Sequence, residues 1–443
     1  MTSIAEPLTL KTERKKLRAV LLAVVMIVLM STVLWMHANR LFQNDSESLV
    51  VGMLAAQKYD LDVSSRKYGL GQLYPIGTTG AYSNFVNETY EAYYHGMLNV
   101  PYSLDTYNRQ IGLQGWVFYA LSAVVPHALS ALRLACCIAL SCVVTGIGFA
   151  LFRRFGPLFA ACFYLVTLNC GWVADFAPNL YWISFSWYLP MFLGLLCVNH
   201  PEKRTLFYPM FALAVFLKSA CGYEYLTAVM LGAVLFPALE WLFSVRVDKP
   251  LSKRWFFTTF WIGVSCLAGF AAAFSIHALI RGSGNWLSGV QDIIRNDALR
   301  RTFGNASEFA AEFTPSLNAS VLDVLGLYFS PASSSPTAQT MFWLAVADIL
   351  LLAGNGVLRR KFSWKDLALF LGGWLVSASW LILAKAHSFD HTYINPVLWY
   401  LAFAQIAVYI AIKQGLILIR RLLDYHAVDH TVRRIGREVY ADL

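Results

Sequence analysis

The sequence predicts an all-α polytopic membrane protein. Three observations carry that expectation: 58% of the 443 residues are hydrophobic, only 14% are charged, and the mean hydropathy is +0.53. A soluble core of this size cannot hide so much apolar surface, whereas a lipid bilayer can solvate it.

The first apolar run, 19–36, follows Lys11, Arg14, Lys15, Lys16 and Arg18 and shows no small-residue cleavage site, so it is expected to stay as an anchor. Further runs at 130–151, 156–174, 182–199, 205–220, 225–244, 255–279, 341–358, 367–384 and 397–419 bring the expected count to about ten transmembrane helices. The basic clusters at Arg153 and Arg154, at Lys203 and Arg204, from Arg246 to Arg254, from Arg359 to Lys365 and after Arg420 then share the side of the N-terminus. The positive-inside rule therefore puts both termini in the cytoplasm. The net charge of +9 lies in short loops beside anionic headgroups, and nucleic acid is not an expected partner.

This topology makes 1–443 a single transmembrane domain with two large extracytoplasmic loops, 38–129 and 280–340, and a cytoplasmic amphipathic tail, 420–443. No glycine-rich phosphate loop occurs in a strand–turn–helix context, so a nucleotide at the inner face is not an expected substrate. In the first loop, Leu49, Val50, Met53 and Leu54 recur at helical spacing, which predicts an interfacial helix over Ser46 to Gln57 with Asp45 at its N-cap. The stretch from Lys67 to Tyr94 offers Tyr68, Tyr74, Tyr82, Tyr90, Tyr93 and Tyr94 as amphipathic surfaces for a carbohydrate or headgroup. The run from Leu113 to Pro126 is too short to span and reads as a second interfacial or re-entrant helix. The eight cysteines show no ligand or redox spacing.

Three polar groups at outer helix ends carry candidate chemistry. Asp45 and Glu47 form a carboxylate pair directly after the first span, and one of them can accept a proton from an attacking hydroxyl on a lipid-borne substrate. The alternative is that Asp45 caps its helix and Glu47 is solvated. Next, Lys218, Tyr223, Glu224 and Tyr225 sit at a turn between spans, where a cation, a carboxylate and two rings can hold a phosphate and a sugar; a plain Lys218–Glu224 salt bridge is the other reading. Third, Lys385, His387, His391 and Tyr393 crowd one helix mouth together with Asp390 and Asn395, and an anionic phosphate is their natural guest. His387 and His391, four apart, suit a shared divalent metal, but with no further ligand beyond Asp390 no metal or other cofactor is expected.

Around these groups, Tyr181, Trp182, Trp187 and Tyr188 either line a lipid or sugar entrance or form an interfacial belt. Arg66, Arg109, Arg281, Arg295, Arg300 and Arg301 can attract an anion or remain solvated. Asp348, inside a span, needs a partner or a proton, while Glu240 near a cytoplasmic end is expected to snorkel.

An entering helix, an Asp-x-Glu loop, an interfacial helix and a basic final outer loop together resemble the GT-C class of membrane glycosyltransferases. The turn from Lys218 to Tyr225 and the run from Lys385 through Tyr393 to Tyr400 are similar to segments of bacterial surface-polysaccharide members, including the serotype-converting glucosyltransferase type. The resemblance implies a GT-C-like fold that moves a sugar from a polyprenyl-phosphate donor to a glycan, lipid or protein acceptor. It also implies a bacterial inner membrane, with the site facing the periplasm and O-antigen or related polysaccharide as the modified product. Asp45 matches the family's catalytic carboxylate and Glu47 its accompanying acid. Lys218, Lys385, His387 and His391 would then receive the departing phosphate. The chain departs from larger members in carrying only the tail after Arg420, which leaves acceptor recognition to the two loops. Two rival readings stand beside it: a polysaccharide polymerase or ligase using a lipid-diphosphate donor and arginines such as Arg281, Arg295 or Arg300, and a lipid or solute transporter working through Asp348.

Overall fold

A computed structural model describes residues 8–38, 44–61, 63, 68–75, 82–96, 102–360 and 362–441; the side chains of 8–14, 44, 45, 74, 75, 82–84, 102, 359 and 424–441 lie outside that description. The chain is a helical membrane protein. The described helices are, in order, α1 Leu8–His37, α2 Asn44–Lys58, α3 Tyr82–His95, α4 Leu113–Ser122, α5 Ala128–Phe155, α6 Pro157–Leu168, α7 Gly171–Phe176, α8 Phe185–Asn199, α9 Arg204–Cys221, α10 Leu226–Ser244 and α11 Lys249–Arg281. There follow α12 Trp286–Ile293, a π-helical segment Ile294–Ala298, α13 Leu299–Arg301, α14 Thr314–Asn318, α15 Val321–Tyr328, α16 Pro336–Arg359, α17 Trp364–Leu383, α18 Lys385–Asp390, a 3₁₀ segment Asn395–Leu401 and α19 Phe403–Ala441.

Among the described residues, six helices are long and apolar enough to cross a membrane: Lys15–His37 within α1, then α5, α10, α11, Pro336–Leu358 of α16, and α17. A seventh crossing results if Asn395–Leu401 and Phe403–Leu423, bent by 50°, are taken together. The other expected spans fall on shorter helices. The run 156–174 is broken after Leu168 into α6 and α7, and α6, at 12 residues, extends only about 18 Å. A bilayer core is about 30 Å thick. Helix α8 is 15 residues long, contains Pro190 and packs between α5 and α10, so its apolar run is accounted for by protein neighbours as much as by lipid.

The first loop departs most from expectation. Helix α2 is enclosed by protein: Val50, Val51, Met53, Leu54, Ala55 and Ala56 are all fully buried. Its apolar residues cover every face, so only complete enclosure removes them from water. Asp45 falls within the first turn of α2 and not at a cap outside it, and its side chain lies outside the described residues. Beneath the helix, Leu70–Pro75 (β1) and Tyr102–Tyr107 (β2) pair antiparallel with Leu70 opposite Tyr107, a two-stranded ribbon that the tyrosine-rich reading of this loop did not foresee. Gly52 lets α2 rest on the ribbon, because a Cβ there would sit 2.6 Å from the Gly71 carbonyl oxygen.

A buried carboxylate fixes this arrangement. Glu47, on α2, accepts Nε of Arg133 at 3.0 Å and a second bond from Arg133 Nη2. It also accepts the Leu180 amide at 3.0 Å and the Tyr90 hydroxyl at 2.8 Å. The expectation of Glu47 as a solvated or catalytic acid is therefore corrected: four donors saturate its oxygens, and it is not part of the cavity described below. Glu240 is corrected likewise. It does not snorkel but is buried against Arg154, whose Nε and Nη2 reach it at 2.7 and 2.5 Å.

Removing either partner of the Glu47–Arg133 pair leaves the other charge buried and unpaired, which costs about 3–5 kcal/mol. Thermal unfolding of Glu47→Ala and Arg133→Ala should each show a loss of this order. The double variant should lose clearly less than the two losses combined; strict additivity would mean that the pair is not coupled.

Candidate functional site

A polar cavity of about 660 Å³ lies where the two long loops meet the helix ends. The first turn of α2 contributes Ser46 and Leu49, and the ribbon with its exit contributes Gln72, Thr106, Tyr107, Asn108 and Arg109. Tyr181, Trp182 and Glu224 come from the turns before α8 and α10. The remaining wall is Arg300, Arg301, Glu312 and Phe313 from the second loop with His387, Asp390, His391, Tyr393 and Ile394 around α18.

Local structure explains these positions. Gly222, at φ +150°, ends α9 in a backbone conformation that side chains rarely adopt and turns Glu224 back toward the cavity. Lys218 donates to the Gly222 carbonyl at 2.7 Å, closing that helix end. Gln114 reinforces the turn by donating to the Cys221 carbonyl at 2.8 Å and to that of Tyr181 at 3.2 Å. Trp182 stacks on Tyr225 with ring centres 5.6 Å apart and planes within 12°, which holds the indole as a wall.

The electrostatics are dominated by guanidinium groups. Arg301 lies 3.4 Å from Glu224, which also sits 3.5 Å from the Tyr181 hydroxyl. Burial acts to lower the Arg301 pKa, but Glu224 and the neighbouring tyrosines and Asp297 hold it above its ordinary value. Arg300, stacked 4.7 Å over Phe313, is pushed down by burial and by the like charges of Arg109 and Arg301. Asp390 is pushed up by burial against the pull of Ser316, His391 and Arg300. His387 is held well below the ordinary histidine value by burial, His391, Arg301 and Arg300, so it is neutral near pH 7.

Arg300 Nε, Arg301 Nε and His387 Nδ1 are buried with no hydrogen-bond partner among the described residues. Unpaired buried donors are costly, and the oxygens of a bound phosphate or sugar are the groups that would satisfy them. His387 and His391 have ring centres 4.3 Å apart, but no group of three His, Cys, Asp or Glu among the described residues converges as a metal site.

The structure brings together Glu224, His387, His391 and Tyr393 in this cavity, with Asp45 one residue before Ser46 in its wall. It does not bring the others. Lys218 is spent on the Gly222 carbonyl, and Lys385 donates to the carbonyls of Leu317 and Ala319 at 2.6 and 2.7 Å, clipping the second loop to α18. Tyr225 is fully buried behind Trp182. Tyr223 faces a separate groove and meets His277 Nδ1 with its hydroxyl at 3.0 Å.

Among the arginines, Arg109, Arg300 and Arg301 line the cavity, Arg281 is held by Asp292 and Asp297, Arg295 is exposed, and Arg66 lies outside the described residues. Arg301 is the functional group that the sequence reading undervalued. Its trace was the four-residue spacing of Ile293, Asp297 and Arg301, one face of a helix that turns inward.

The groove that receives Tyr223 is apolar, about 210 Å³ in volume, and walled by Leu226, Phe270, Phe274, Trp380 and Leu383. Arg109 and Arg301 line both the groove and the polar cavity, so the two spaces adjoin at these residues. Asp348, by contrast, is buried in α16 with neither carboxyl oxygen partnered among the described residues. No known family, characterised protein or solved structure matches the chain.

Because His387 is neutral in the folded state, its contribution to stability is complete above the unfolded value near 6.5 and is lost as pH falls below it, at a limiting slope of about 1.4 kcal/mol per unit. Thermal unfolding from pH 8 to 5 should show this loss, and His387→Gln should flatten it; an unchanged slope would contradict the assignment. Lys385→Met should lower stability by roughly 2 kcal/mol or more, because two carbonyls lose their donor, and should speed proteolytic cleavage within 302–320.

Proposed function

We propose that the protein is a membrane glycosyltransferase of the GT-C type that moves a sugar from a polyprenyl-phosphate donor to an acceptor hydroxyl. The observation that carries this reading is the junction of an apolar groove with a polar cavity at Arg109 and Arg301. A lipid-linked sugar has this same division: an apolar chain, an anionic phosphate, and a polar ring. The groove takes the chain end nearest the phosphate, the guanidinium groups take the phosphate, and Trp182 with Glu224 and Tyr181 takes the sugar.

In the reaction the acceptor oxygen attacks the anomeric carbon, the bond from that carbon to the phosphate oxygen breaks, and the polyprenyl phosphate leaves with its electron pair. Asp45 receives the acceptor proton, a role supported by its place beside Ser46 in the cavity wall. Arg301, with Arg300 and Arg109, stabilises the charge gathering on the departing phosphate. No nucleotide domain is needed, since the donor is already activated. In the full reading, the shorter helices complete about ten crossings of a bacterial inner membrane, both termini are cytoplasmic, and the cavity opens to the periplasm, where surface polysaccharide is the acceptor.

Three guanidinium groups line the cavity, Arg301 and Arg109 beside Glu224 and Asp297 at 3.4 and 3.5 Å, and a lipid-diphosphate donor able to engage all three is the second reading, that of a polymerase or ligase. A transfer assay with matched monophosphate and diphosphate lipids separates the two. The first reading expects sugar transfer from the monophosphate lipid; transfer from the diphosphate alone selects the second, and passage of lipid across a vesicle without any covalent change rejects both.

With the productive donor, Asp45→Asn should lower transfer roughly 10²–10⁴-fold with expression intact, and Arg301→Gln about 10²-fold or more. Near-normal transfer by Asp45→Asn would remove it as the base. Near-normal transfer by Arg301→Gln would remove the junction as the phosphate site.

A further inference from the structure

The ends of α9 and α11 far from the polar cavity enclose a second charged recess, of about 550 Å³. Its cations are Arg204, Lys253 and Arg254, and its rings are Tyr208, Phe257 and Trp261; no carboxylate lines it. The nearby acids are engaged elsewhere. Asp248 caps α11 by accepting the Leu251 amide at 2.9 Å, and Glu202 lies 3.5 Å from His200. Arg254 is anchored through the Pro201 carbonyl at 3.1 Å. Arg204 Nη1, in contrast, is buried with no hydrogen-bond partner among the described residues.

The recess is placed across the bilayer from the proposed active site. Helix α11, one of the helices long and apolar enough to cross a membrane, runs from Lys253 and Arg254 in the recess to Arg281, which Asp297 of the apolar groove holds. From the recess toward the midplane, α11 presents exposed apolar side chains: Phe257, Trp261, Val264 and Leu267. A concentrated positive charge with an unfilled donor, beside the exposed apolar face of α11, matches the two halves of one kind of molecule.

We propose that this recess is a binding site for an anionic glycerophospholipid of the leaflet opposite the polar cavity. Arg204, Lys253 and Arg254 surround the headgroup phosphate, the first turns of α9 and α11 add the positive ends of their dipoles, and the acyl chains lie along the apolar face of α11. The site is independent of the sugar-transfer reading, because it uses none of that site's residues.

The test uses the full chain, delipidated in a neutral detergent, with thermal unfolding and native mass spectrometry as readouts. Dioleoyl phosphatidylglycerol should raise the unfolding temperature and remain bound, while dioleoyl phosphatidylethanolamine does so at least tenfold more weakly. The double variant Arg204→Gln/Lys253→Gln should bind phosphatidylglycerol at least tenfold more weakly while unfolding, without lipid, at the wild-type temperature. Should that variant fold poorly, Lys253→Glu, an exposed side chain, gives the same readout. Equal effects of the two lipids, or undiminished binding by the variants, would overturn the proposal. Equal protection by millimolar inorganic phosphate would assign the recess to free phosphate and overturn the lipid assignment.

Discussion

The end of this protein that carries the polar cavity depends on the buried carboxylate of Glu47. A charge taken out of water is tolerated only where donors replace its hydration, and here an arginine from α5, a tyrosine from α3 and a backbone amide at Leu180 all do so. Each donor belongs to a different segment, so satisfying one side chain sets the positions of three elements around α2. Ser46, the residue before it in the chain, lies in the cavity wall. The knot thus holds the end of α2 against the open space where the second loop and α18 arrive, and the ribbon under Gly52 supports the same helix from below.

Charge within the cavity is unevenly paired. Arg109, Arg300 and Arg301 share one partly buried space with Glu224, Glu312 and Asp390, yet the close pairing is uneven: Arg301 has Glu224, while Arg300 rests on a phenylalanine ring. Burial, and after it the like charges of Arg109 and Arg301, pushes the Arg300 pKa down. Because His387 stays neutral beside them, it can serve a polar partner without adding to the repulsion.

Much of the helical membrane architecture was legible in the sequence, because hydropathy integrates over long segments and a long apolar run has few alternatives to burial in lipid. The shorter runs were ambiguous for a physical reason: an apolar helix enclosed by protein, such as α2 or α8, has the same composition as one enclosed by lipid. Side-chain roles were less legible. A lysine or glutamate at a helix mouth looks identical whether it meets a ligand or a distant partner, and the partners of Glu47 and Lys385 lie 86 and 68 residues away. His387, His391, Tyr393 and Glu224 were recognisable because several polar groups at one mouth need a common reason to be there. Arg301 was not, since a basic residue in a polar loop gives no sign of enclosure until the helix leading to it is seen to turn inward.

The π-helical segment Ile294–Ala298 joins α12 to the turn that carries Arg300 and Arg301. Such a segment amounts to one residue inserted into an otherwise regular helix, and each residue of an α-helix advances the chain by about 100°. The heading of both guanidinium groups is therefore a matter of helical phase. Deleting a single residue between 294 and 298 would let the hydrogen bonding revert to the ordinary repeat, swing the pair about a quarter-turn, and blank the cavity's positive wall with every remaining side chain still encoded.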